Sequence, residues 1–305
     1  MDTFIHLTAY GAQAPSALDR VRDGILRLDS LLNVTDKTSE VYAINHRQMD
    51  AVALSSDVAD LLSLSLGLAR ETQGCFDPTV YPVVRTWGFT TGDYHRPTPT
   101  ELAGLLPLVG HRNAELAGQR LTLKEDMQLD FGGIAKGWAG DRAAQSLRDD
   151  GITSAILRLG GNIQTIGTKP DGTPWKVGIQ DPEGGQTLAT VSVADLAVVT
   201  SGSYQRHFTL DGQDYHHLID PETGYPADSG LVSVTIVGPS GARCDALSTA
   251  LFVMGLDRGG QFWQEHRDFE AVFLSKDGTI TITPGLEGNF TFTRDFSSRV
   301  VEVLK

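Results

Sequence analysis

From Leu121 onward the chain is written in short alternating runs, LTLKEDMQLDF, SAILRLG, WKVGIQ, ATVSV, LAVVTS, SVTIVG, EAVFLS and TITITP, most of them closed by Gly, Pro or Asp-Gly. Alternation of period two gives a strand one buried face, and stops of this kind turn one strand back on the last, so the strands are expected to be mostly antiparallel. Asp171-Gly172, Asp211-Gly212 and Asp277-Gly278 are candidate hairpin turns. Helical spacing interrupts the pattern. Residues 16–32 carry Leu18, Val21, Ile25, Leu28, Leu31 and Leu32 on one face, with Ser16 and Asp19 as a candidate capping box. Residues 56–72 repeat the pattern, and shorter helices are predicted over 134–148 and 246–254, the last stopped by Gly255. Helices interspersed with hairpins, without regular β-α-β alternation, predict an α+β class with antiparallel-rich sheets.

Length and charge bound the function. At about 150 residues per domain, 305 residues suit roughly two lobes, and the Gly-, Pro- and Thr-rich stretch 85–100 is the candidate lobe boundary or flap. Lys and Arg total 25 against 38 Asp and Glu, a net charge of −13 that argues against binding nucleic acid or an anionic membrane. No run reaches the about 18 apolar residues of a membrane span, and the start lacks a basic region followed by an apolar one. As written, the chain reads as cytoplasmic; if it has been trimmed of an anchor, it would be extracytoplasmic and membrane-tethered. The two cysteines, Cys75 and Cys244, have neither Cys-x-x-Cys nor zinc-knuckle spacing, which leaves one long-range disulfide or two buried thiols.

Four segments could carry chemistry. In LDFGGIAKGWAGDRAAQSL (129–147) a strand is expected to end at Asp130, two glycines permit close backbone approach, and a helix opens with unpaired amides, a site for an anion to which Lys136 adds charge. The alternative is a tight strand-to-helix turn with a solvated lysine. LRLGGNIQTIG (157–167) either brings backbone close to a bulky group or forms a simple hairpin. TSGSYQRHFTLDGQDYHHLIDPETGYP (200–226) is dense in proton-transfer groups, with His217 on the face of Ile219 and Asp220 opening a turn. His207, His216, His217 and Asp220 would be split between faces, which weakens a transition-metal cluster. In RCDALSTALFVMG (243–255), Asp245 and Thr249 lie four apart on a helix, so a carboxylate and a hydroxyl share a face as hard ligands for Mg²⁺ or Ca²⁺; Asp245 could equally be an N-cap.

Taken in order, Met1-Asp2-Thr3, SEVYAIN, GCFDPTVYPVVRTWGF, LDFGGIAKGWAGDRA, LRLGGNIQTIG, VVTSGSYQRHF, HLIDPETGYP and CDALSTALFVMG resemble the FAD:protein FMN transferases, the ApbE-like flavin transferases, over nearly the whole chain. The resemblance implies one α+β unit over 1–305, with two lobes around a flavin and metal cleft. It implies Mg²⁺-dependent transfer of FMN from FAD to a Thr or Ser hydroxyl of an acceptor protein, with release of AMP. By motif, Mg²⁺ would fall to Gly133, Asp245 and Thr249, and FAD to Met1, Cys75, Phe76, Asp77, Asp130, Lys136 and Ile219. His217 would be the base, with Asp220 and Asp245 as rivals. Asp2, Thr35 and Ser248 depart from the family's usual Gly, Tyr and second acidic ligand. The implied partner displays a Ser-Gly-Ala-Thr-like segment, which Ser240-Gly241-Ala242-Arg243 does not reproduce. An FAD pyrophosphatase and a non-catalytic FAD-binding protein are the competing readings.

Overall fold

The computed structural model describes residues 3–305. Among these, the chain divides into two compact units, the first comprising 26–135 and 203–228 and the second 3–25, 136–202 and 229–305. Both mix helices with mainly antiparallel sheets, so the fold is α+β, as the alternation predicts.

The second unit is built on an eight-stranded sheet. Its order is Ile5–Ala9, Ala155–Leu159, Asn162–Ile166, Ala197–Gly202, Leu231–Gly238, Glu270–Ser275, Ile280–Ile282 and Val301–Val303, antiparallel except at the last pair. One face packs on a three-stranded sheet of Trp175–Gln180, Thr187–Val193 and Phe290–Phe292, with Val198, Val237, Val272 and Ile156 meeting Trp175, Val177, Val191 and Val193. The opposite face carries the helix Gly241–His266, which lies on strands 197–202 and 231–238 and reaches 162–166. A Cβ placed on Gly238 would stand 3.1 Å from Cys244 Sγ.

Beside it runs the helix Ala135–Asp149, and the two helices meet at glycines. A Cβ on Gly137 would penetrate the Gly241 carbonyl, and one on Gly241 would stand 2.7 Å from the Gly137 carbonyl oxygen. Asp141 ties the crossing. Its Oδ1 accepts from the Gly241 amide at 2.6 Å, and its Oδ2 accepts from the Ala242 amide and the Ser240 hydroxyl, both at 2.9 Å. These are donors that a helix start leaves without intrahelical partners. Burial pushes the Asp141 carboxyl above the ordinary range, opposed by the Ala242, Gly241 and Ser240 donors and by Arg148.

The first unit contains the helices Glu40–Asn45, Ser56–Glu71, Tyr81–Thr86 and Pro99–Leu105, a three-stranded sheet of Ala51–Ala53, Arg120–Leu123 and Ala114–Ala117, and the hairpin His207–Leu210 with Gln213–His216. Asp211 and Gly212 turn that hairpin with φ of 51° and 77°, the positive pair that a two-residue turn requires. Val83, Trp87, Phe89, Leu102, Tyr215 and Ile219 form a core in which Trp87 Nε1 donates to the Gly224 carbonyl at 2.8 Å. The 85–100 stretch lies inside this unit, anchored by Trp87, Phe89 and Tyr94.

Several local expectations are corrected. The first helix begins at Ala14, and Ser16 lies inside it with its hydroxyl donating to Gln13 O, so it is not a cap. The strand from Leu121 stops at Leu123, because side chains take over the backbone beyond it: Arg47 donates to the carbonyls of Lys124 and Met127, both at 2.6 Å, and Asn45 pairs with both polar groups of Leu129. Asp130 therefore ends an irregular segment. Asp171-Gly172 joins strands of different sheets and makes no hairpin. The last helical stretch, Gly241–His266, starts at Gly241 with Ser240 as N-cap, so Asp245 is no cap; Gly255, non-helical at φ 77° and ψ 176°, stops the first helix of this stretch as expected, and a second continues beyond it to His266.

Two glycines test this packing by sign. Gly137→Ala is expected to destabilise the protein by about 1–3 kcal/mol through overpacking, whereas Gly67→Ala, where an added Cβ meets nothing within 4 Å, should stabilise by up to about 1 kcal/mol. Urea unfolding measures both; a stabilised Gly137→Ala would sink the close crossing. Asp141 sets a pH dependence. Its raised native pKa means that the folded state holds this proton more tightly, so its contribution to stability falls as pH rises from the unfolded carboxyl value, about 3.9, through the native one. The stability difference between wild type and Asp141→Asn should therefore shrink or turn against the wild type over that rise. A difference that grows with pH would contradict the assignment.

Candidate functional site

In the second unit, the helix crossing brings together three of the residues singled out by sequence, Lys136, Asp245 and Thr249. Asp245 sits one turn into its helix and is 3% exposed, with Oδ2 accepting from the Gly137 amide at 2.9 Å. Its Oδ1 faces Lys136 Nζ at 3.5 Å, too long for a hydrogen bond yet close enough for strong attraction at a buried carboxylate. Helical spacing places Thr249 one turn further on, with its hydroxyl 3.3 Å from Ser201 Oγ. Ser248 bonds the same Ser201 hydroxyl at 2.7 Å and donates to the Asp245 carbonyl at 2.8 Å. Ser248 is thereby tied into the helix-to-sheet contact, and Asp245 supplies the carboxylate.

Two amides that spacing did not mark face the same side of the sheet. Asn162 and Gln164, each 4% exposed, have Nδ2 and Oε1 respectively without a hydrogen-bond partner among the described residues. They follow the Gly160-Gly161 turn, which is a hairpin with Gly160 left-handed at φ 62°. Both cysteines are buried and not joined by a disulfide, and burial, reinforced by the nearby Asp141 and Asp245 carboxylates, pushes the Cys244 thiol far up, so thiolate chemistry is closed to it.

In the first unit, His217 follows the strand Gln213–His216, with its amide and its Nδ1 directed at the Arg206 carbonyl at 3.0 and 3.2 Å. A carbonyl only accepts, so this contact places a proton on Nδ1, and in the neutral ring the lone pair is then on Nε2. The Phe89 ring meets the imidazole edge-on, with centroids 6.4 Å apart. Ile219 is buried and bridges to Pro226. Asp220 holds its own turn: Oδ1 accepts from the Glu222 amide at 2.9 Å and Oδ2 from the Thr223 hydroxyl at 3.1 Å.

The remaining first-unit residues are set by local bonds. Cys75 and Phe76 follow the Ser56–Glu71 helix, their amides donating to the Thr72 carbonyl (3.1 Å) and hydroxyl (3.3 Å). The buried Asp77 carboxylate accepts from the Thr79 amide and hydroxyl, from the His111 backbone amide and, through its Oδ2, from His111 Nδ1. Asp130 Oδ1 accepts from the Gly132 amide at 2.9 Å, and its own amide donates to Pro78 O at 2.8 Å. Gly133 is half-buried just before the Ala135–Asp149 helix. Thr35 directs its amide and hydroxyl at Asn33 Oδ1. Met1 and Asp2 lie outside the described residues.

Sequence reasoning missed Asp141, Asn45, Arg47 and Ser201 as organisers. All but Arg47 lie within strings already quoted, yet their roles depend on pairings with residues far along the chain. Among the described residues, no three or more His, Cys, Asp and Glu are grouped to hold a metal ion. The grouping available is a single carboxylate with a hydroxyl, oxygen donors of the hard type.

Known proteins resemble this chain over most of its length. The model of the ApbE family matches residues 1–273. The FAD:protein FMN transferase of Treponema pallidum is 34% identical over 294 residues, covering 90% of this chain and 81% of that protein. That of Escherichia coli K12 is 30% identical over 261 residues, 82% of this chain and 74% of its own. Among solved structures, the ApbE protein of Thermotoga maritima superposes with a TM-score of 0.86 at 32% identity, over 93% of this chain and 94% of that one. The flavin transferase ApbE of Vibrio cholerae does so with 0.82 at 26% identity, over 98% and 96%. With nearly nine-tenths of its length matched by the family model, this chain belongs to the ApbE family.

Proposed function

We propose that this protein is an FAD:protein FMN transferase that moves FMN from FAD to a Thr or Ser hydroxyl of an acceptor protein and releases AMP. The observation that carries the reading is the buried Asp245 carboxylate at the glycine crossing, with Lys136 at 3.5 Å and Thr249 a turn away. A buried carboxylate with one oxygen on a backbone amide and the other turned to a cation suits a site for a divalent ion and a phosphate. Asp245 and the Thr249 hydroxyl are hard oxygen donors that fit Mg²⁺ and would hold it, and the Gly133 carbonyl is the further holder that the family motif implies. Mg²⁺, when bound, would neutralise charge developing on the oxygen that bridges the two phosphorus atoms.

The chain's own groups supply the rest. Lys136 provides a positive charge for a phosphate oxygen. His217, with its proton held on Nδ1, accepts the acceptor hydroxyl's proton at Nε2 as that oxygen bonds the FMN-side phosphorus and the bond to the AMP oxygen breaks. Asp220 is a poorer base because both its oxygens already accept hydrogen bonds in its own turn. Cys75, Phe76, Asp77, Asp130, Ile219 and Met1 are the proposed flavin-nucleotide contacts; Asp77, with its carboxylate bound to Thr79 and His111, would act through backbone and shape.

The test incubates the protein with FAD, Mg²⁺ and a carrier displaying a Ser-Gly-Ala-Thr segment, reading flavin fluorescence of the carrier on a denaturing gel together with AMP. A labelled carrier is expected, lost with chelator and with Asp245→Ala. His217→Ala should keep FAD binding and slow transfer by about 10²–10⁴-fold. AMP without label would instead make the protein an FAD pyrophosphatase, and undiminished transfer by His217→Ala would remove this base.

A further inference from the structure

Asn162 is a buried donor that the fold leaves unanswered. It is 4% exposed, and Nδ2 has no hydrogen-bond partner among the described residues, a state that is costly when nothing else compensates. Its direction follows from the sheet. Asn162 pairs with Val199, and Gln164 with Ala197, which in turn pairs with Gly238. Gln164 Oε1 would stand 2.9 Å from a Cβ on Gly241, its Cβ 3.7 Å from one on Gly140, and Gly238 faces Cys244. Residues two apart on a strand share a face, so Asn162 points to the side that carries both helices.

Its level follows from the helix. Gly241 lies against Gln164, and Ser248 and Thr249 bond Ser201. Seven helical residues advance about 10 Å, and the four strand residues from Ala197 to Ser201 advance about 13 Å, so helix and strand run nearly in step. The turn between, which carries Asp245, therefore lies over the Val199–Asn162 pair. Asp245 reaches sideways to the Gly137 amide and Lys136, toward the helix whose Gly140 covers Leu159 and Gln164. The unanswered amide thus sits beneath the same crossing as the lysine and the carboxylate.

We infer that Asn162 is a further substrate-binding residue, whose Nδ2 donates a hydrogen bond to a phosphate oxygen of the nucleotide pyrophosphate held at this crossing. This rests on the transferase reading and adds to it a neutral donor on the sheet side, opposite the helix amides. An amide N–H suits the task because it binds a phosphate oxygen without competing with Lys136 for the Asp245 carboxylate. An answering phosphate would also remove the cost of the unpaired donor, so binding gains what folding left unsatisfied.

Asn162→Leu, which removes the donor at similar size, tests the assignment through equilibrium binding of FAD and of ADP in the presence of Mg²⁺ and through thermal unfolding of the ligand-free protein. The expected result is a fall in affinity for both ligands of roughly tenfold to a hundredfold, the loss of one hydrogen bond to a charged group, with the ligand-free melting temperature held or raised. Unchanged affinity for both ligands would overturn the inference. So would a ligand-free protein that melts lower while affinity holds, since the amide would then have its partner within the fold. If Asn162→Leu does not fold, Asn162→Asp keeps the shape and puts an acceptor in the donor's place; weakened binding of FAD and ADP supports the assignment, and wild-type affinity rejects it. Wild-type protein that binds FAD and labels the carrier while Asn162 variants bind normally would defeat this inference alone, whereas wild type that binds no FAD would defeat the transferase reading.

Discussion

The second unit depends on two helices being allowed to touch at their backbones. Ordinary side chains hold packed helices about 8–10 Å apart, and only small residues permit closer approach. At Gly137 and Gly241 each carbonyl occupies the space that the other's Cβ would need. Close approach alone would press unpaired amides of one helix start against its neighbour. Asp141 prevents that by accepting from Gly241 and Ala242 and from the Ser240 cap. With the second helix fixed at its first turn, Asp245 arrives one turn later where the Gly137 amide can receive it. The geometry of the carboxylate is thus set by a glycine pair and a second carboxylate, neither of which needs to meet a ligand.

The first unit solves a similar problem with side chains. The irregular segment after Leu123 lacks a strand partner, and buried backbone polar groups demand one. Arg47 and Asn45, at and just beyond the end of a short helix, answer the carbonyls of Lys124, Met127 and Leu129 and the Leu129 amide. Asp130 and the two glycines that follow are consequently delivered by polar clamps in place of a ladder. The His217 imidazole is treated in the same manner, with a main-chain carbonyl selecting its tautomer.

What was legible in the sequence follows the range of the interaction that sets each feature. Alternation named five of the eight strands of the large sheet, those at 155–159, 197–202, 231–238, 270–275 and 280–282, because burial of one face is written locally in residues such as Ala197–Gly202, and it left Ile5–Ala9, Asn162–Ile166 and Val301–Val303 unnamed. The Asp211-Gly212 turn was legible for the same reason. The start of the Gly241–His266 helix was not, since its cap, Ser240, is followed by two small residues that carry no helical periodicity, and its stabilising acceptor lies a hundred residues earlier. The early end of the strand at Leu123 was hidden because Arg47 is distant in sequence. Local spacing and motif resemblance singled out Lys136, Asp245 and Thr249, which the helix crossing brings together, while Asn162, inside a quoted string, looked like turn chemistry until its face in the sheet was known.

The division of the chain has a consequence for biosynthesis. Among the described residues, the edge strand Ile5–Ala9 pairs with Ala155–Leu159 alone, with Ile5 opposite Leu159. At about 5–20 residues per second a ribosome needs roughly eight to thirty seconds to deliver that partner, and the strands 197–202 and 231–238 come later still. Meanwhile most of the first unit, residues 26–135, has emerged between the two. The Ile5–Ala9 strand therefore stays without its ladder partner in the nascent chain throughout this interval, and its unpaired backbone is where holding by a chaperone would matter most.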